Sequence, residues 1–130
     1  MNTMSDYVKV EFEYLLKTSN KVLYTFLSTP DGLQEWFADE VNFKQGEYEF
    51  AWDDEQAKAK LVSKKNNECI KFEFTDDERK GNTLEFKINT DPLTKELALH
   101  ISDFCLPEEE KSNKQLWDFL VNNLKTKLGA

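Results

Sequence analysis

Residues Tyr7 to Tyr14 alternate, with Val8, Val10, Phe12 and Tyr14 on one side and Lys9, Glu11 and Glu13 on the other. A two-residue period of this kind predicts a half-buried strand. Thr18-Ser19-Asn20 then offers a side-chain oxygen for a helix N-terminus, and Val22, Leu23, Phe26 and Leu27 follow at helical spacing. Pro30 drives the residue before it out of the α region, so this helix should stop near Ser28. Thr29 is a suitable cap for a restart, with Pro30 at the first helical position. Leu33, Trp36 and Phe37 then form one face of a short second helix that closes at Asp39-Glu40.

From Val41 to Leu106 the period returns to two. Val41-Asn42-Phe43 is a short strand. Tyr48, Phe50 and Trp52 share one parity, followed by a turn at Asp53-Asp54-Glu55. Ala57, Ala59 and Leu61 alternate with Lys58 and Lys60, before a turn at Lys64-Lys65-Asn66-Asn67. Ile70, Phe72 and Phe74 lead to a turn between Asp76 and Asn82. Leu84, Phe86 and Ile88 lead to another at Asp91-Pro92, and Leu97, Leu99 and Ile101 complete the series. Short polar connections imply antiparallel neighbours, and the alternation implies one covered face.

Pro107 to Ala130 reads as helix, with the helix proper over about Glu108 to Leu128. Glu108, Glu109 and Glu110 at its start and Lys125 and Lys127 near its end match the helix dipole, and Gly129 is a natural stop. Trp117, Leu120, Val121, Leu124 and Leu128 fall on one stripe, with Leu116 at its edge. The apolar faces of sheet and helix must cover each other. The predicted fold is α+β, a helix-grip arrangement: a seven-stranded antiparallel curved sheet around a long C-terminal helix, with two short helices after strand 1. With no repeat or linker, residues 1–130 form a single domain.

Charge narrows the function classes. The 130 residues hold 25 Asp+Glu against 17 Lys+Arg, a formal net charge of −8. That balance opposes binding to nucleic acid or to an anionic lipid surface. Two cysteines and one histidine build neither a disulfide framework nor a zinc finger. Met1 to Lys9 carries no apolar leader, and no run is long enough to span a membrane. Free Cys69 and Cys105 suit a reducing compartment, so the expected address is cytoplasmic.

The element order, together with Leu23-Tyr24-Thr25-Phe26-Leu27-Ser28-Thr29-Pro30-Asp31-Gly32-Leu33-Gln34-Glu35-Trp36-Phe37-Ala38-Asp39 and the closing Lys114-Gln115-Leu116-Trp117-Asp118-Phe119-Leu120, resembles the START-like helix-grip superfamily (SRPBCC type). It is most similar to the small bacterial START-like proteins near the heat-shock-protein ATPase activator homologues. The resemblance spans essentially the whole chain. It implies the fold strongly and the function weakly, because this superfold hosts cyclases, lipid carriers, hormone receptors and co-chaperone domains.

Little in the sequence carries chemistry. His100 lies opposite in parity to Leu99 and Ile101, on the solvent face of its strand, and Cys69 shares the outward parity of Lys71. No nucleophile–base neighbourhood, glycine-rich phosphate loop or metal-ligand cluster is present. Asp53-Asp54-Glu55 and Asp76-Asp77-Glu78 lack calcium-loop spacing and read as solvated turns. No catalytic residue, metal or cofactor is assigned, and a non-enzymatic role is favoured.

The inward aromatic set is more informative. Trp36, Phe50, Trp52, Phe72, Phe74, Phe86 and Trp117, with Leu120 and Leu124, could line an apolar ligand pocket or fill a solid core, since interiors pack densely. A void above ~300 Å³ would favour the pocket. The leading reading is therefore a module holding a small apolar or amphipathic, lipid-like ligand between sheet and helix. The alternatives are a co-chaperone-like domain that docks on a protein partner and a cyclase or hydrolase of the same fold. A buried carboxylate or histidine in the cavity would favour the last. Monomer and homodimer are equally open. Phe119 lies more than 90° from the buried stripe, beside Asn122 and Thr126. It is expected to be covered by the helix pair through Trp36 and Phe37; if exposed, it is a candidate interface residue.

Overall fold

The computed structural model describes residues 6–129. Residues 1–5, which belong to the stretch where no leader is expected, and Ala130, at the end of the expected terminal helical segment, lie outside the described residues. The elements are β1 (Val8–Leu16), α1 (Asn20–Ser28), α2 (Pro30–Trp36), β2 (Glu40–Lys44), β3 (Glu47–Ala51), β4 (Gln56–Lys65), β5 (Cys69–Phe74), β6 (Thr83–Thr90) and β7 (Leu97–Cys105). A 3-10 turn, Pro107–Glu109, then leads into α3 (Glu110–Leu128). The sheet order is β1-β7-β6-β5-β4-β3-β2, and every neighbouring pair is antiparallel. Strands β2 to β7 form a meander, and β1 returns beside β7, with Phe12 opposite Ile101 and Tyr14 opposite Leu99.

The capping chemistry sits where the sequence places it. The Ser19 hydroxyl accepts from Val22 N at 3.2 Å, and Thr29 Oγ1 accepts from Gly32 N at 2.9 Å. Gly129 ends α3 in the left-handed conformation, its N–H donating to Lys125 O and Thr126 O. Gly32 meets a different demand. A Cβ there would lie 2.3 Å from Thr25 O and 2.7 Å from Phe26 Cα, so only glycine lets α2 fold back so tightly on α1. Gln45 and Gly46, with φ of 52° and 82°, make the two-residue turn between β2 and β3.

Besides the end of α2, which falls at Trp36 and not at Asp39-Glu40, so that Glu40 already opens β2, two boundaries differ from the sequence reading. β4 continues through Lys64 and Lys65, so the turn is shorter and Asn67 carries the positive φ of 65°. The ladder with β5 holds this exposed end, after a register shift between Leu61 and Ser63 that leaves Val62 in solvent. Main-chain pairing leaves no mark in a hydrophobic pattern. At the other boundary, α3 begins at Glu110, because Pro107 opens a 3-10 turn before the helix settles.

α3 lies against the sheet with Trp117, Leu120, Val121 and Leu124 buried. α1 packs on β5 and β6, while α2 packs on β2 and α3. The expected cover over Phe119 is absent: its side chain is 61% exposed. The rings that were to reach it turn inward instead. Trp36 packs on Phe86 at a centroid distance of 5.6 Å, and Phe37 stacks on Trp117 at 5.8 Å. Burial in the shared core wins over covering one helix flank.

Candidate functional site: an aromatic cleft with a carboxylate at its floor

Strand parity carries β7 past its apolar run. Leu97, Leu99 and Ile101 face inward and are buried, and the same alternation brings Asp103 and Cys105 to that face. α1 and α2 plug the concave face over β5, β6 and β2. Beyond their cover, the sheet and the first half of α3 diverge into a cleft of ≈ 700 Å³. Phe37, Trp52, Phe74, Leu84, Trp117 and Leu120 form its apolar walls. Phe37 stands between two indoles, 5.5 Å from Trp52 and 5.8 Å from Trp117. Trp52 is pinned by its Nε1–H, which donates to Phe37 O at 2.8 Å.

The floor is polar. Trp117 Nε1 donates to Asp103 Oδ2 at 2.9 Å, and Asn113 Nδ2 donates to the same oxygen at 3.3 Å. Asp103 Oδ1 accepts from Phe104 N at 2.8 Å. Burial pushes the Asp103 carboxyl above its ordinary value; the three neutral donors and the more distant Arg79 charge pull against it. Asn113 Oδ1 is buried without a hydrogen-bond partner. With Asp103 ionised this orientation lets Asn113 Nδ2 donate, whereas the reverse would set two oxygens against each other.

The rim comes from the two acidic turns. Arg79 Nη2 meets Glu55 Oε2 at 2.9 Å and so ties the β5–β6 loop to the β3–β4 loop. The same guanidinium lies 5.7 Å from the centre of the Phe74 ring. Glu78 and Glu109 complete the charged lining.

Cys105 also lines the cleft. Its thiol is pushed up by burial and then by the negative charges of Asp103, Glu110 and Glu109. These influences favour the thiol over the thiolate, the wrong direction for a nucleophile. His100 lies on the outer face, its Nε2 3.4 Å from Glu11 Oε1 and away from the cleft.

The aromatic candidates divide into two groups. Trp52, Phe74, Trp117 and Leu120 line the cleft. Trp36, Phe50, Phe72, Phe86 and Leu124 lie outside its lining, in a packed aromatic body. There Phe72 meets Phe50 edge-on at 6.0 Å and Phe86 at 6.4 Å. Asp103, Asn113 and Arg79 escaped the sequence reading. For Asp103 the signal was present, because 97, 99, 101 and 103 share one parity. Asn113 and Arg79 carry no periodic signal, since a loop and a first helical turn bring them in.

A family model for the START-like superfamily domain matches residues 4–130. The chain belongs to the START-like superfamily. Among solved structures, this START-like chain is similar to BfR322 from Bacteroides fragilis, with 34% identity and a TM-score of 0.65, covering 94% of this chain and 91% of that one. It is also similar to the Aha1 dimer from Colwellia psychrerythraea, with 16% identity and a TM-score of 0.77, covering 93% and 96%. At that identity the likeness to Aha1 is one of fold. Comparison with curated proteins finds no match.

Proposed function

We propose that this START-like domain is a non-enzymatic binding module that holds a small amphipathic ligand in the cleft between the sheet and the first half of α3. One observation carries the reading: an aromatic-walled space of ≈ 700 Å³ with a few convergent polar atoms at its floor. Size, wall and sparse polar groups match the usual anatomy of a small-molecule site. The carboxylate at the floor is the feature that would favour a cyclase or hydrolase. Its neighbours argue for holding rather than reacting, because it is fixed by neutral donors and the nearby thiol is kept protonated. A cytoplasmic address belongs to the same proposal and is supported by free Cys69 and Cys105. Among the described residues no helix is long and apolar enough to cross a membrane.

An environment-sensitive apolar dye, titrated into the protein, tests the reading. Saturable binding that is lost in Leu116→Trp supports it, because Leu116 stands at the cleft with 52% of its surface exposed and a larger ring there narrows the space. Dye binding that is absent in the wild type, or unchanged in the variant, overturns it.

The protein-interaction alternative has one observation in its favour. Phe119 and Leu116 are both exposed and lie three residues apart on α3, and Leu116 also borders the cleft. Exposed aromatic and aliphatic neighbours of this kind suit a contact surface. A concentration-dependent complex that Phe119→Ser dissociates would establish it.

A further inference from the structure

We infer that the cleft selects cations: its ligand is an amphipathic amine or amidine whose charged head rests on Asp103 while its apolar body lies among Phe37, Trp52 and Phe74. This inference rests on the binding reading above and adds the chemical class of the ligand.

The first ground is the imbalance between donors and acceptors around the cleft. The Trp117 indole N–H is engaged by Asp103 and the Trp52 indole N–H by Phe37 O. The Tyr7 hydroxyl donates to Glu78 O, and the Ser112 hydroxyl to Glu109 O. At the floor these contacts leave acceptor capacity over, while the remaining N–H groups of Arg79 stay at the rim. Asp103 Oδ1 takes only the N–H of the next residue, and Asn113 Oδ1 takes none. A ligand that completes such a floor must bring donors, and an ammonium brings three while a carboxylate or phosphate brings none.

The second ground is charge. Glu55, Glu78, Asp103 and Glu109 line the space against the single cation Arg79. Arg79 is held at the rim by Glu55 and Phe74, so it does not sit on Asp103. A carboxylate sheltered from water, hydrogen-bonded by neutral donors and influenced by Arg79 only from the rim, lacks the direct partner that burial of a charge demands. A ligand cation supplies that partner through a charge-assisted hydrogen bond. The partly exposed ring of Trp52 adds a surface that attracts cations and flat apolar groups alike.

The test uses three ligands of one shape: 3-phenylpropylamine, 3-phenylpropanol and 3-phenylpropionate. Each is titrated into the full chain by calorimetry, and the Trp117 indole proton is followed by NMR. The amine should bind at least tenfold more tightly than the alcohol, the acid should bind most weakly, and only the amine should strongly shift the Trp117 indole proton that contacts Asp103. Asp103→Asn should bring amine and alcohol to equal affinity. An alcohol that equals the amine in the wild type, or an amine preference that survives Asp103→Asn, overturns the inference. If Asp103→Asn does not fold, the wild-type ranking and the indole shift still decide. If none of the three binds but the apolar dye does, the cation inference falls and the binding reading stands. If the dye fails as well, both fall.

Discussion

The two ends of the concave face are built from the same kinds of residue and finish in opposite states. Under α1 and α2, Phe50, Phe72, Phe86, Trp36 and Leu124 interlock into a body with essentially no exposed surface. Toward the tips of β5 and β6 and the end of β7, Phe74, Trp117 and Leu120 are still part of that buried core, but with the partly exposed Trp52 they also border a cleft with a carboxylate at its floor. The aromatic supply is similar at both ends, so composition does not separate them. Cover does. One end has two helices, with Gly32 allowing them to close tightly, and the other has a loop rim and the first turns of α3. A curved sheet gripped by one straight helix fits closely along part of its length and diverges beyond it. A filled end stabilises the domain, and the other end leaves space beside the carboxylate.

The largest test of this contrast is Phe86→Ala. The ring is fully buried and touches Trp36, Phe37, Phe72 and Trp117. Its loss should cost about 3–5 kcal/mol as a large-to-small core change. The urea midpoint measures it, and an unchanged midpoint would show that this end is not packed as described.

A pair of tryptophan substitutions sharpens the comparison. Leu124→Trp puts a larger ring into the filled end and should cost about 1–3 kcal/mol by overpacking. Leu116→Trp adds a similar volume at the open end and should stay within about 0.5 kcal/mol, as surface changes usually do. Thermal melts of the two variants side by side give the difference. Equal destabilisation would erase the distinction between the ends.

Asp103→Asn probes the floor through pH. The folded-state carboxyl of Asp103 is raised above its ordinary value by burial, so the folded protein binds that proton more tightly than the unfolded chain does. Stability therefore declines as pH rises from that value through the raised folded one, and the cost of the buried charge is absent below both. Asn keeps an oxygen for Trp117 Nε1 and removes the charge, but sets its amide NH2 against the Phe104 N–H. The gap in melting temperature of variant over wild type should therefore be most favourable at neutral pH and fall by a few degrees in acid, where the wild-type carboxyl takes its proton. Asp118 behaves in the opposite sense. Lys114, then Tyr14, hold its carboxyl below the usual value, so its small contribution is present at neutral pH and lost as pH falls through the lowered one. A gap that widens in acid would contradict the assignment at Asp103.

Phe119→Ser should have the smallest effect on stability, with a melting temperature within about 1 °C of wild type, because its ring is already in solvent. Its readout is sedimentation. A shift of a concentration-dependent complex toward free monomer marks the α3 flank as a contact surface, while unchanged sedimentation removes it from consideration.

The architecture was largely legible beforehand because alternation and helical spacing are local signals. The parity of Tyr48, Phe50 and Trp52 names the inward face of β3 and its continuation. Ser19, Thr29, Pro30 and Gly129 mark helix ends through chemistry confined to four or five residues. The end of β4 was misplaced because Lys64 and Lys65 are held by the backbone ladder to β5, which imposes no side-chain pattern.

The site was legible only in part. Which aromatic residues point inward is a property of each strand, and the sequence carries it. Which of them meet another ring and which meet open space depends on where α1, α2 and α3 come to rest, and no single strand encodes that. Asp103 lay within reach of parity, as the next inward position after Ile101, but its partners Asn113 and Trp117 come from α3, ten and fourteen residues further on. Phe119 shows the same division. Its helical angle places it off the buried stripe, and its exposure follows from Trp36 and Phe37 turning toward Phe86 and Trp117. The sequence by itself determined the elements, their order and their buried faces, because these follow from short-range periodicity and capping. The tertiary structure decided where the interior is solid and where it opens, because that depends on how a straight helix and a curved sheet share one volume.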